Sequence, residues 1–293
     1  DYIELINDIP HDEIANVPVN YTLTWVGQGG DDDVSNKIIN TFPVHHMEYV
    51  PSLEPNTFEY GDEDFLIEID TLSRAFYIDK YEISNELFDN PASNPYNKWA
   101  STPYEEESAG VNYSEAIDFC EDRSDFYQEL GITFELPNEL DWEIAASAKY
   151  SKDLILDPIL NIFTSSSTDK LFYPESVGDG QINCFYANIQ SCNNNPLEVG
   201  YFSSSNGQIN STSPSGVYDF SGNVKEWVIK YFSHDEPNRE ILRGGDYNSN
   251  PSEVKSTSFI YENPELEHKS IGFRTIIYAD TYFDFIRKEG INE

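Results

Sequence analysis

The segment Gly222-Asn223-Val224-Lys225-Glu226 gathers a side-chain amide oxygen, backbone carbonyls and a carboxylate within a few residues. Hard oxygen donors at that density suit calcium, which takes about six to eight oxygen ligands. The same residues can also form a turn in which Asn223 bonds its own backbone and Glu226 pairs with an arginine. Two arginine motifs, Arg243-Gly244-Gly245 and Gly272-Phe273-Arg274, read as architectural. Glycines let backbones approach closely, and a permanently charged guanidinium buried among loops can hold several carbonyls and carboxylates together. Trp142 and Trp227, each flanked by strand or helix formers, are expected to fill the core.

The chain has 3 cysteines. Cys184 and Cys192 lie in the polar stretch NCFYANIQSCNNN, which suits a surface loop closed by a disulfide and implies an oxidising compartment. Cys120 falls in SEAIDFCEDRSDFYQEL on the helical face of Ile117, so a buried free thiol is expected. Other reaction chemistry finds little support. No Gly-x-Ser-x-Gly, phosphate loop or His-Glu-x-x-His is present. His45 and His46 are adjacent, with Glu48 following, and lack the helical spacing that converges ligands on a metal. With 53 acidic residues, pairs such as Glu139/Asp141 and Glu105/Glu106 arise by chance and are expected on a solvated surface.

The elements that position these groups are mostly short. MEYVPSL, NTFEYGDE, FLIEID and RAFYIDKYEIS read as strands and turns from Met47 onward, followed by a short helix over Asn85–Asn90. A stronger helix begins near Tyr113, with Ser114 as N-cap and Gly131 as its stop. LPNELDWEIAASAKY predicts another, capped by Asn138, with Leu140, Ile144 and Ala148 at helical spacing. Residues 151–215 are polar and poor in periodicity, so a metal or a disulfide is expected to fix them. Residues 1–45, with the alternating VNYTLTWV, the turn GQGGDDD and the candidate strand IINTFPV, read as an N-terminal β arm.

Length and a 39% hydrophobic content allow one sizeable core, while 17 Lys+Arg against 53 Asp+Glu give a formal charge of −36. Such a charge repels phosphate backbones and anionic lipid, which excludes nucleic acid and acidic membranes as partners. No apolar run of about 18 residues is present, and the opening DYIELINDIPHDE shows no signal peptide, so neither membrane insertion nor a leader is expected. Sequons at Asn20, Asn112 and Asn210 permit glycosylation.

Four segments, taken together and in order, resemble the formylglycine-generating enzyme family, the sulfatase-modifying-factor domain. They are FYIDKYEISNELF, VNYSEAIDFCEDRSDF, FELPNELDWEIAA, and GVYDFSGNVKEWV with its sequels LRGGDYN and IGFR. The last set is similar to the family's Gly-Asn-Val-x-Glu-Trp, Arg-Gly-Gly and Gly-Phe-Arg motifs. Together they span roughly four fifths of the chain.

The resemblance implies an α+β fold, a single compact loop-rich domain over residues 46–278 related to the C-type lectins. The arm 1–45 and the tail 279–293 then lie outside it. It implies calcium at Asn223, Val224 and Glu226. A second calcium site would begin at Asn188 and the Ile189 carbonyl, with Asn194 as its remnant and no downstream aspartate. It also implies a ligand groove over residues 246–263, where Tyr247, Asn248, Asn250 and Tyr261 would meet a glycan or peptide.

The family's oxidase needs two cysteines between Arg-Gly-Gly and Gly-Phe-Arg to bind copper(I), a soft ion that selects sulfur. Here that interval contains none. The expectation is therefore a non-catalytic, calcium-stabilised module, secreted or on the cell surface, that assembles with itself or with other envelope proteins. Tyr282, Phe283, Phe285 and Ile286 of the tail are candidate contacts for such assembly. Lectin-like binding, or an oxidase with an unrecognised active site, are the alternatives.

Overall fold

Segments of four or so β-formers bounded by Gly, Pro, Asn and Asp cannot make long strands, and the chain builds its sheets from short pieces. The computed structural model describes residues 47–279, apart from 54, 56, 63–64, 72, 90–109, 129–130, 149–172, 175–176 and 178–181. Strands β1 (Met47–Val50) and β4 (Phe76–Asp79) pair antiparallel, and β4 carries β9 (Ile276–Tyr278) on its other side. Strands β2 (Glu59–Asp62) and β3 (Phe65–Glu68) form a hairpin. The sheet that matters most for the site has the order β7 (Phe259–Glu262), β6 (Glu240–Arg243), β5 (Lys225–Val228), β8 (Ile271–Gly272). Its β5–β8 pairing is parallel, so Arg274, two residues beyond β8, returns beside Glu226.

Helix α1 (Asn85–Asp89) follows β4, as expected. Helix α2 (Tyr113–Phe126) starts where the sequence indicates, but its cap is Asn112 and not Ser114. The Asn112 side chain accepts from Glu115 N at 3.0 Å while the Glu115 carboxylate accepts from Asn112 N at 2.9 Å. A reciprocal box requires the acid three residues after the cap, and only Asn112 stands in that relation to Glu115. The helix also ends before Gly131, which instead turns the following chain at φ 62.

Helix α3 (Glu139–Ser147) is capped by Asn138 as predicted, through Leu140 N and Asp141 N. All nine of its residues are buried. That overturns the surface placement of Glu139 and Asp141, and a helix enclosed on every side must give its acids internal partners. Asp141 accepts from Tyr278 Oη at 2.7 Å and Asn138 Nδ2 at 2.6 Å, and burial pushes its pKa up to about 6.

Trp227 packs with Phe119, Phe273 and Leu242 in one apolar cluster, and Trp142 packs with Phe76, Phe220 and Ile241 in another; both indoles are 0% exposed. A smaller cluster of Ile182, Ala187, Ile189 and Val254 sits under the loop 184–192. That loop is closed by the expected Cys184–Cys192 disulfide. Cys120 is buried and free, and burial pushes its thiol pKa up. The arm 1–45, the pair His45/His46, Glu105/Glu106, Asn20 and the aromatic tail lie outside the described residues. Among the described residues no helix is long and apolar enough to cross a membrane.

Candidate functional site

The Gly222–Glu226 segment reaches β5 through a turn that only special residues tolerate. Gly222 has φ 85 and Asn223 φ 62, the left-handed region open to Gly and, at some cost, to Asn. A Cβ at Gly222 would overlap the Asn188 carbonyl oxygen, so the two loops touch backbone to backbone. Asn223 N donates to that carbonyl at 2.8 Å.

The Asn223 amide is then fully used. Its oxygen accepts from Leu197 N at 2.8 Å and Asn188 Nδ2 at 3.2 Å, and its nitrogen donates to Glu82 Oε2 at 2.5 Å. Val224 N donates to the other oxygen of Glu82 at 3.2 Å. Glu226 is equally committed. Arg274 grips it with Nε to Oε2 at 2.7 Å and Nη2 to Oε1 at 2.5 Å, and Trp142 Nε1 donates to Oε2 at 2.7 Å. The arginine pairing, the alternative reading of this segment, is what the fold contains. As they stand, the Asn223 and Glu226 side chains do not fit the coordination sphere of a cation.

Arg274 also holds the carbonyls of Asp79 and Tyr218, at 3.1 and 3.0 Å. Arg243 likewise binds the Glu143 carboxylate, the Ser256 carbonyl at 2.6 Å and Tyr60 Oη at 2.9 Å. Both arginines are architectural, as expected, and both are essentially inaccessible. A third, Arg123, pairs with Asp79 at 2.9 Å.

Sequence reasoning did not anticipate the acids gathered near Arg274. Glu82 is pushed well above the ordinary carboxylate range, first by burial and then by the charges of Asp219 and Glu226. Asp219 is pushed up to about 6, again by burial first and then by Glu226, while Gly200 N–H and Arg274 oppose the rise. Asp219 sits at φ 63, a region where non-glycine residues are often Asn or Asp at special sites, and the turn-rich stretch DFSGN was the one signal in the sequence. Three carboxyls near one guanidinium leave an excess of negative charge in a desolvated place.

Asn188 supplies the complementary observation. It is 1% exposed, and its nitrogen donates to Asn195 O at 3.0 Å and to Asn223, but its buried Oδ1 has no hydrogen-bond partner. One orphaned amide oxygen suits a hard cation, although the Ile189 carbonyl, the other expected donor, already accepts from Cys192 N at 3.0 Å. Asn194, the third candidate, is exposed. Among the described residues no group of three His, Cys, Asp or Glu side chains converges as a metal cage.

Part of the segment expected to form a ligand groove lines a cavity. A cavity of about 770 Å³ lies between β6–β7 and the 3-10 turn Pro251–Val254. Asn248 lines it, but Tyr247 is buried, where a ring cannot stack on a ligand. Asn250 is spent capping the 3-10 turn through Ser252 N at 2.9 Å. Tyr261 turns to His234, whose Nδ1 lies 2.7 Å from the phenol while Nε2 lies 2.7 Å from Glu139 Oε1. Glu139 also accepts from Tyr231 N, Phe232 N and Tyr60 Oη. These bonds outweigh its burial and hold its pKa below the usual range. In the groove itself Lys225 pairs with Asp246. Burial opposes ionisation of Asp246, but that bond and charge, with Asn248 N–H and the Ser270 hydroxyl, outweigh it and keep the carboxyl low.

With this geometry in place, comparison with known proteins is direct. Residues 37–279 match the family described as "Sulfatase-modifying factor enzyme 1-like domain". The solved structure of PvdO from Pseudomonas aeruginosa is similar, with 17% identity, a TM-score of 0.52, and coverage of 79% of this chain and 94% of that one. Treponema denticola variable protein 1 is also similar, with 17% identity, a TM-score of 0.51 and the same coverage, 79% and 94%. At such identities these two likenesses establish the fold alone. No curated protein sequence matches the chain. The match over residues 37–279, most of the chain, places it in the sulfatase-modifying factor enzyme 1-like family.

Proposed function

We propose that this family member is a non-catalytic binding and assembly module of the cell exterior, stabilised by calcium. The observation that carries the reading is chemical. The stretch from Arg243 to Arg274, which forms the groove, contains no cysteine. Of the chain's 3 cysteines, Cys184 and Cys192 are tied in a disulfide and Cys120 is buried with its thiol pKa raised. No thiolate pair is thus placed to hold copper(I) at the groove. The disulfide favours an oxidising compartment, and the groove, of ligand-binding size, favours recognition over a sealed architectural role.

For calcium, Asn188 Oδ1 is the unpartnered group that would hold the ion, with the Ile189 carbonyl as its expected companion. Bound there, calcium would supply positive charge and fix loops that have little regular structure of their own.

The test is elemental analysis of the purified full chain, joined to thermal unfolding and solution size with and without a calcium chelator. Stoichiometric calcium without copper or iron, with lower stability or smaller size on chelation, is expected. Stoichiometric copper or iron would overturn the non-catalytic reading.

A further inference from the structure

The charge of the chain is not spread evenly. Residues 182–218 hold one charged side chain, Glu198, where the whole-chain share of 24% would place about nine. Every exposed residue of that stretch is uncharged, among them Gln190, Asn193 and Asn206. Surface loops in a chain of formal charge −36 normally carry carboxylates, which keep copies of it apart. Depletion of charge is instead the mark of the central part of a protein–protein interface.

Two large apolar side chains stand out from this neutral stretch. Phe185 is 69% exposed and Ile209 44% exposed. Single exposed apolar residues are ordinary, but Phe185 is held in place. The Cys184–Cys192 disulfide closes its loop, its N–H donates to Asn183 Oδ1 at 2.9 Å, and Ala187 and Ile189 anchor the loop in the apolar cluster beneath. A ring presented on a braced backbone loses little further entropy when a partner covers it. Tyr173 links the two loops from below: it packs on the cluster of Ala187 and Ile189 under the first, and with Ser211 of the second it borders a small cavity.

We propose that two copies of the chain associate through this neutral stretch, with Phe185 and Ile209 as the apolar contacts. This names the surface and the partner for the assembly role given above, and rests on that reading. The argument for a second copy is electrostatic. Asp and Glu outnumber Lys and Arg by 53 to 17, so most approaches of one copy to another bring carboxylate against carboxylate, which is strongly unfavourable across an interface. Neutral loops meeting neutral loops remove that opposition at contact. What remains is the long-range repulsion of two anionic bodies, and salt screens it. Association should therefore strengthen with salt, the reverse of a contact built on ion pairs.

The experiment is sedimentation equilibrium of the full chain at fixed calcium, at concentrations up to about 100 μM. Raising salt from about 0.05 to about 0.5 M should tighten self-association about tenfold. Phe185→Ser should weaken it about tenfold and Ile209→Ser about threefold; both side chains are exposed, so the fold is spared. Gln190→Glu, which sets a new charge on the stretch in each copy, should weaken association at low salt and much less at high salt. Leu66→Ser removes a side chain that is 52% exposed on β3, outside the stretch, and should change nothing. Association that weakens with salt, or that is unchanged in both Phe185→Ser and Ile209→Ser, overturns the proposal. A chain that stays monomeric throughout overturns it as well and leaves the assembly role to partners other than this chain, while the calcium content of the same sample tests the calcium-stabilised reading separately.

Discussion

Replacing Glu226 by Gln keeps the shape of the side chain and removes its charge. Arg274 then loses the carboxylate that it grips at 2.5 and 2.7 Å, and remains 0% exposed with only carbonyls and more distant acids around it. Removing one partner of a buried pair commonly costs about 3–5 kcal/mol, because the other charge stays desolvated. Glu82 and Asp219 lie near enough to offset part of this, so the lower end, about 3 kcal/mol, is expected. For a domain of this size that is roughly 6–12 °C in Tm. Urea unfolding followed by the fluorescence of the buried Trp142 and Trp227 measures it, and Arg274→Met with the double variant closes the thermodynamic cycle. Since Glu226 acts through Arg274, the loss should be the same with calcium and with chelator. A loss below about 1 kcal/mol would refute the pairing as a main support of the fold, the size expected of an exposed pair. A loss seen only when calcium is present would show that Glu226 ligates the ion after all.

Two further outcomes are expected. Asp219 has a folded pKa of about 6 against an ordinary 3.8, so between those values the folded chain keeps a proton that the unfolded chain has released, and stability falls as pH rises. Asp219→Asn, compatible with the positive φ, should flatten that fall in a series of Tm values measured with chelator from about pH 4 to about pH 7; an unchanged slope would contradict it. Replacing Cys184 and Cys192 by serine opens a loop with a sequence separation of 8. It should cost about 2.5 kcal/mol by the loop-entropy relation, read as a lower urea midpoint, and no change would mean that the small cluster around Ile189 holds the loop unaided.

Much of the molecule was legible from local rules. The four motif segments placed the family, Asn138 announced the start of α3, the Cys184/Cys192 spacing announced a disulfide, and the indoles and the two arginines announced a core. Each of these follows from chemistry within a few residues: a cap, a short loop, a large apolar surface, or a charge too costly to bury alone. Glycines in Gly-Asn and Arg-Gly-Gly likewise announced tight backbone approach, realised where Gly222 meets the Asn188 carbonyl.

What the tertiary structure decided is which long-range partner each polar group met. Glu226 offered the same oxygens to a calcium ion or to an arginine, and only the parallel return of β8 brought Arg274 to it from 48 residues away. Glu139 and Asp141 looked like any acids among 53, and became buried because the backbone of residues 231–232, His234 and Tyr278 arrived to bond them. Tyr261 belonged to the right segment but not to the groove, since alternation along a strand separates two faces without saying which one another element will cover, and Tyr247 was drawn into the interior by the turn that follows β6. Residue type and spacing fix what a group can bind; burial and proximity, which depend on contacts far apart in the chain, fix what it does bind.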